Sequence, residues 1–236
     1  MATFFDKALN QVLALIGVDL DFNLDPVPER YSEISTTLSL GACPRPEHVQ
    51  PLKALGLTHV VSALRPSDMP KTAFLEPHFQ RLELGLEDHL QQDLLADLPS
   101  LFEFIHQAQA ADPQGHVLIH CEAGVSRSAS LVIAWFMHSQ RLSFWEAFRV
   151  VQTKRPQVLP NLGFATQLQS FEHSQNSTFS DAPSSLARYM YEVCCVPAEL
   201  ELIQSMLQDH RYDAVQALQV MFAGDIPRVI QGLRRR

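Results

Sequence analysis

The 236-residue chain is predicted to be α/β, with a small all-α unit at its C-terminal end. Three observations predict this. The apolar run Val117, Leu118, Ile119 passes through a loop of small and polar residues into an apolar stretch, 128–137, so that a buried strand feeds a buried helix. A second short strand, 81–85, precedes a segment, 92–105, whose apolar positions recur at helical spacing. After a polar stretch, 173–185, residues 197–233 fall into three short helical patterns.

Taken in order, residues 1–29 begin with Phe5, Leu9, Val12 and Ile16 on one helical face. Asp6 spoils a basic signal region and no cleavage site follows, so this is an amphipathic helix rather than a secretory leader; Ala2 gives no myristoylation signal. Too few basic residues line its polar face for membrane docking, and stable membrane insertion is not expected. In 92–105, Asp93 and Asp97 read as capping and solvated carboxylates of that helix. Residues 175–185 read as a linker, and 186–196 as a helix joining the two units. The C-terminal patterns are 197–210, 213–222 closed by Gly224, and 225–233 with Asp225 as cap and Pro227 in the first turn. Leu200, Ile203, Leu207, Ala214, Leu218 and Ile230 are among the residues that fill their core.

Composition sets the limits. A chain of this length with 46% hydrophobic residues can bury a full core and still carry a small second unit. The net charge of −8 excludes general nucleic-acid affinity, and the basic triplet Arg234, Arg235, Arg236 is most simply a solvated helix end. Cys43, Cys121, Cys194 and Cys195 make no disulfide framework, so the expected location is cytoplasmic or nuclear. Vicinal Cys194 and Cys195 are expected to be buried, because neighbours do not easily form a bridge of ordinary geometry.

The loop between strand and helix carries the chemistry. His120, Cys121, Glu122, Ala123, Gly124, Val125, Ser126, Arg127 and Ser128 follow one another. A helix N-terminus behind such a loop aims backbone N–H groups into one concavity, which suits a phosphoryl dianion. Residues 122–127 would contact the phosphate. Arg127 adds a planar fork for two equatorial oxygens, which Lys does not supply. Cys121 lies at the floor, where amide dipoles and Arg127 favour a thiolate. Gly124 fits a sharp turn. The bland reading, an ordinary buried thiol, fits these spacings poorly.

These residues resemble the Cys-dependent protein phosphatases, specifically the dual-specificity branch, whose His-Cys-x-x-Gly-x-x-Arg-Ser signature is matched throughout. The resemblance covers residues 30–174 and implies a central twisted sheet flanked by helices. Residues 34–41 look like the family's first strand, 52–61 like its first helix-to-strand passage, and 151–172 like its Lys-Arg-Pro turn, Pro-Asn and closing helix. It implies a thiophosphoryl intermediate on Cys121, a general acid upstream, and no metal or other cofactor. Among Glu83, Glu87, Asp88, Asp93 and Asp97, Asp88 is preferred because it lies free between strand and helix, in a segment like the family's acid loop; Glu87 is the reserve. Ser128 resembles the hydroxyl that steadies the leaving thiolate, and His120 the His that bonds backbone around the loop. Asn161 is a candidate brace of that loop or a helix N-cap.

A phosphoprotein is the expected substrate, on Tyr, Ser or Thr, since Lys is missing from the loop and Glu122 discourages polyanions. With about thirty residues before the catalytic part and no rhodanese-like targeting domain, the chain resembles the small atypical members. The C-terminal patterns are weakly similar to ubiquitin-associated three-helix modules, which implies a ubiquitin-like partner; an extension packed on the catalytic domain is the alternative. A phosphate reader without turnover and a scaffold led by its C-terminal unit are the other functional readings.

Overall fold

The computed structural model describes residues 30–113, 115–175, 184–194, 196 and 198–221. The expected N-terminal helix, most of the linker, Cys195 and the third C-terminal helix lie outside them. The described residues group into two compact units, one built on residues up to 142 with 146–160, the other on 143–145 with residues from 161 onward.

The first unit is a mixed sheet with helices. Its strands are β1, Tyr31–Ser35; β2, Leu38–Gly41; β3, Leu57–Leu64; β4, Gln80–Gly85; and β5, His116–His120, in the spatial order β1-β2-β5-β3-β4. Only β1 and β2 are antiparallel; β5 runs parallel to both its neighbours, as β4 does to β3. The stretch 34–41 is thus a hairpin, not one strand. Thr36 and Thr37 make the reversal, which alternation alone does not reveal because both are good strand formers.

Strand β5 is the middle strand and is buried along its whole length, which accounts for its lack of polar alternation. Leu118 and Val60 point to the side where Val49, Leu52, Leu57, Leu75 and Phe79 cluster. Leu57 opens β3, and the others come from α1, Val49–Ala54, from the 3-10 segment Pro66–Leu75 and from the turn after it. Strand alternation sends Ile119 and Val61 to the opposite face. There α2, Leu98–Ala111, and α3, Arg127–Gln140, pack on the strands. Helix α2 buries Leu98, Leu101, Ile105 and Ala108, one stripe at helical spacing. It starts later than the sequence pattern suggests, because a 3-10 turn, Leu95–Asp97, precedes it. Helix α3 is buried at every residue from Arg127 to Met137, so its hydrophobicity is not amphipathic. Helix α4 is Phe144–Lys154.

The second unit contains α5, Leu162–Gln175; α6, Ser185–Arg188, which runs on into a π-turn, Tyr189–Val193; α7, Leu200–Asp209; and α8, Ala214–Met221. Helix α5, read from sequence as the last helix of the catalytic part, packs here with α6 and α8. Buried side-chain amides and carboxylates hold the unit together. Gln169 Oε1 accepts from the Leu186 N–H at 2.8 Å, and Glu172 Oε2 from the Phe144 N–H at 2.6 Å. Asp213 caps α8 by accepting from the Val215 and Gln216 N–H groups, each at 3.0 Å. Cys194 is buried.

Candidate active site

The loop between β5 and α3 is shaped by what holds its carbonyls. The Cys121 carbonyl faces His120 Nδ1 at 3.3 Å, and the Glu122 carbonyl accepts from the Cys43 N–H at 3.1 Å. Ala123 and Gly124 carbonyls accept from Arg155, Nη2 at 3.3 Å and Nε at 2.8 Å. The Val125 carbonyl accepts from the Leu159 N–H, and the Ser126 carbonyl from the Ser130 N–H, both at 2.8 Å. Six successive carbonyls are therefore engaged by donors. In a trans peptide the N–H lies opposite the C=O, so the following amides turn to the other side. Gly124 shows this directly, its N–H pointing at Cys121 Sγ from 3.2 Å.

Sulfur has a second donor. Ser128 Oγ, in the first turn of α3, donates to Cys121 Sγ at 3.1 Å. Cys121 is 2% exposed. Two hydrogen bonds and a helix N-terminus directed at one sulfur stabilise negative charge there. At Cys43, burial first, then Glu122 and Cys121, push the thiol up to about 11, so it stays protonated. Gly124 has φ +69, and an added Cβ would stand 2.5 Å from the Gly41 carbonyl carbon. The loop thus needs glycine both for its turn and for its contact with the end of β2.

Arg127 is 8% exposed, and its Nη1 donates to the Leu86 carbonyl at 3.3 Å. Its buried Nε has no hydrogen-bond partner among the described residues; Asp88 Oδ2 is 3.9 Å away. Asp88 Oδ1 accepts from Ser126 Oγ at 2.6 Å, and its side chain is 38% exposed. The carboxylate therefore stands at the rim, between loop and solvent. The other carboxylates are elsewhere. Glu87 lies beside His89, Glu83 bonds Arg81, and Asp93 accepts from the Ala96 N–H. Asp97 holds the position before α2 without a side-chain cap bond, its carboxyl raised by burial and by Asp93. Asn161 accepts from the Phe164 N–H at 2.9 Å and so caps α5.

His120 is fully buried. The Cys121 carbonyl can only accept, so Nδ1 carries the proton and Nε2 accepts from Ser62 Oγ at 2.8 Å. Burial lowers its pKa to about 4. Above the ordinary value of 6.5 the ring is neutral folded or unfolded, and its contribution to stability is complete. As pH falls from 6.5 towards 4 the unfolded chain takes a proton the folded one refuses, and stability is lost. From pH 6.5 to 5 the loss is about 2 kcal/mol. Denaturant midpoints measured over this range should fall more steeply for wild type than for His120→Gln; parallel curves would mean that His120 is not held neutral.

Several contributors were invisible in the sequence. In the sequence Arg155 reads as part of the Lys-Arg-Pro turn, and nothing in its neighbours marks its contact with the loop. Arg65 and Lys71 were not singled out either. Each lies 2.7 Å from a carboxylate oxygen of Asp68, and both interact electrostatically with Glu122.

A mixed sheet whose middle strand delivers a donor-bound thiol into a loop at a helix start defines a Cys-centred oxyanion site. The pattern described as "Dual specificity phosphatase, catalytic domain" matches residues 38–174, more than half the chain, and the protein belongs to that family. "Dual specificity protein phosphatase MPK-4" of Drosophila melanogaster is 35% identical over 158 residues, 66% of this chain and 39% of that protein. "Dual specificity protein phosphatase 19" of Mus musculus is 33% identical over 148 residues, 63% of this chain and 64% of the relative. The chain thus spans less than two thirds of the length of these curated relatives. The crystal structure of human DUSP28 is 30% identical, with a TM-score of 0.58 over 64% of this chain and 99% of that one. That of a human "tyrosine phosphatase-like serine/threonine/tyrosine-interacting protein" is likewise 30% identical, with a TM-score of 0.59 over 62% and 99%.

Proposed function

We propose that the chain is a protein phosphatase that hydrolyses phospho-Tyr, phospho-Ser or phospho-Thr through Cys121. The observation that carries the proposal is the pair of donors on Cys121 Sγ, with Asp88 at the rim of the same loop. The thiolate attacks phosphorus and the bond from phosphorus to the leaving oxygen breaks. Asp88 gives that oxygen its proton. The carboxylate left behind then takes a proton from water, whose oxygen attacks phosphorus; the S–P bond breaks and inorganic phosphate leaves. Arg127 and the loop amides hold the equatorial oxygens throughout, and Ser128 steadies the returning thiolate. The steps use no metal, and turnover is expected to survive a chelator.

Asp88→Asn keeps the shape of the rim but removes the proton. Hydrolysis of an aryl phosphate should fall about 100-fold, the scale of general acid catalysis, and the limb of the rate profile that reports the acid should disappear. Wild-type protein without turnover but with phosphopeptide binding would instead make the loop a reader of phosphate.

No helix among the described residues is long and apolar enough to cross a membrane. A reducing location, cytoplasm or nucleus, fits a thiol nucleophile. We assign partner choice to the C-terminal helices, with a ubiquitin-like protein as candidate. Leu202 and Val220, about half exposed, are apolar positions available to such a partner.

A further inference from the structure

We infer that Arg155 is a positioning residue of the reaction: its guanidinium holds two peptide units of the thiol loop in the orientation that aims their N–H groups at sulfur and substrate. The inference rests on the reading of Cys121 as the nucleophile.

The geometry is specific to a guanidinium. Arg155 is completely buried, just beyond the end of α4, where its own N–H still bonds the Val151 carbonyl. Nε donates to the Gly124 carbonyl at 2.8 Å and Nη2 to the Ala123 carbonyl at 3.3 Å, while Nη1 donates to Ser32 Oγ on β1 at 3.2 Å. Three donors of one rigid plane thus face three acceptors, two of them successive peptides of the loop. An ammonium has its donors at a single point and cannot reach both carbonyls and Ser32 in that way. Burying a cation is costly, and the cost is met only where its hydrogen bonds are filled.

Each carbonyl held by Arg155 belongs to the same rigid plane as the next residue's N–H. The Ala123 carbonyl shares its peptide with the Gly124 N–H, which donates to Cys121 Sγ. The Gly124 carbonyl shares its peptide with the Val125 N–H. Pulling both carbonyls back turns both amides forward, and a cation on the carbonyl side polarises the N–H on the other. Arg155 does not touch sulfur or substrate, so it acts through these two peptides. Leu159 continues the arrangement by bonding the Val125 carbonyl, but through a backbone amide that no side-chain change removes. Arg155 is therefore the residue at which the alignment can be tested.

The test uses the full chain with Arg155→Ala and Arg155→Lys, assayed with an aryl phosphate, with inorganic vanadate as a probe of the oxyanion site, and with guanidinium ion added at low millimolar concentration. Vanadate reads the amide cradle without requiring turnover. For Arg155→Ala, kcat should fall about 100-fold, the cost of a slight misplacement of aligned groups, with vanadate inhibition weakened at least tenfold and KM little changed. Guanidinium should restore part of both, and urea, which has the shape without the charge, should not. Arg155→Lys should lie between alanine and wild type. If Arg155→Ala does not fold, Arg155→Lys carries the test through its weakened vanadate inhibition at unchanged thermal midpoint. Wild-type kcat and vanadate inhibition in Arg155→Lys, or losses in Arg155→Ala that follow the unfolded fraction and ignore guanidinium, would overturn the inference. An inactive wild type that binds vanadate normally would instead overturn the phosphatase reading, leaving the effect on vanadate binding to judge Arg155.

Discussion

Replacing Cys121 by Ser should lower hydrolysis of an aryl phosphate by about 10⁶-fold, the order found when a covalent nucleophile is removed elsewhere. The substitution exchanges one atom in a buried position, and the Gly124 N–H and Ser128 Oγ that now bond the sulfur still find an acceptor. What is lost is the anion, since a serine hydroxyl does not ionise under these conditions. Fold and phosphate binding should therefore survive. The measurement is steady-state turnover together with phosphopeptide affinity by calorimetry. Activity within 100-fold of wild type would show that water or another group attacks phosphorus directly, and the thiophosphoryl route would be abandoned.

Arg127→Lys should lower kcat/KM about 10³-fold, at the upper end of the loss for a transition-state donor. The charge is retained, so a simple Coulomb attraction to phosphate predicts a small effect. A fork has more to lose. Arg127 Nη1 is anchored on the Leu86 carbonyl, while its buried Nε has no hydrogen-bond partner among the described residues and lies 3.9 Å from Asp88 Oδ2. One end of the plane is fixed by the protein so that another edge is presented to the equatorial oxygens. Lysine cannot be anchored and present an edge at once. Comparing kcat/KM for Arg127→Lys and Arg127→Ala reads the geometric part of the effect; a lysine variant within tenfold of wild type would mean that charge alone suffices.

The parts of the site that could be read from sequence lie close together along the chain. His120 to Ser128 are consecutive, and their identities specify a strand end, a turn that needs glycine and a helix start. Asp88 is legible through a different kind of fact, its position between a strand and a helix with no helical face to serve. In the structure its carboxylate is bonded to Ser126, 38 residues away. The hairpin of β1 and β2 reads in the sequence as one strand because Thr36 and Thr37 have strand-forming side chains and nothing local marks the turn. The sequence pattern extends helix α2 beyond its true start because a 3-10 turn shares the apolar spacing of the helix it precedes.

By itself the sequence determined the class of fold, the thiol loop and the order of its donors, because strand and helix periodicity and loop chemistry are recorded in neighbouring residues. The tertiary structure alone decided which distant groups make that loop work. Ser62 reaches His120 across 58 residues, Arg155 reaches Gly124 across 31, and Gly41 lies where any side chain on Gly124 would go. None of these has a local signature, since a serine in a strand, an arginine after a helix and a glycine at a strand end are ordinary until the sheet brings β2, β3 and β5 side by side. Burial then makes them necessary: each polar group enclosed there has to find its partner inside the protein.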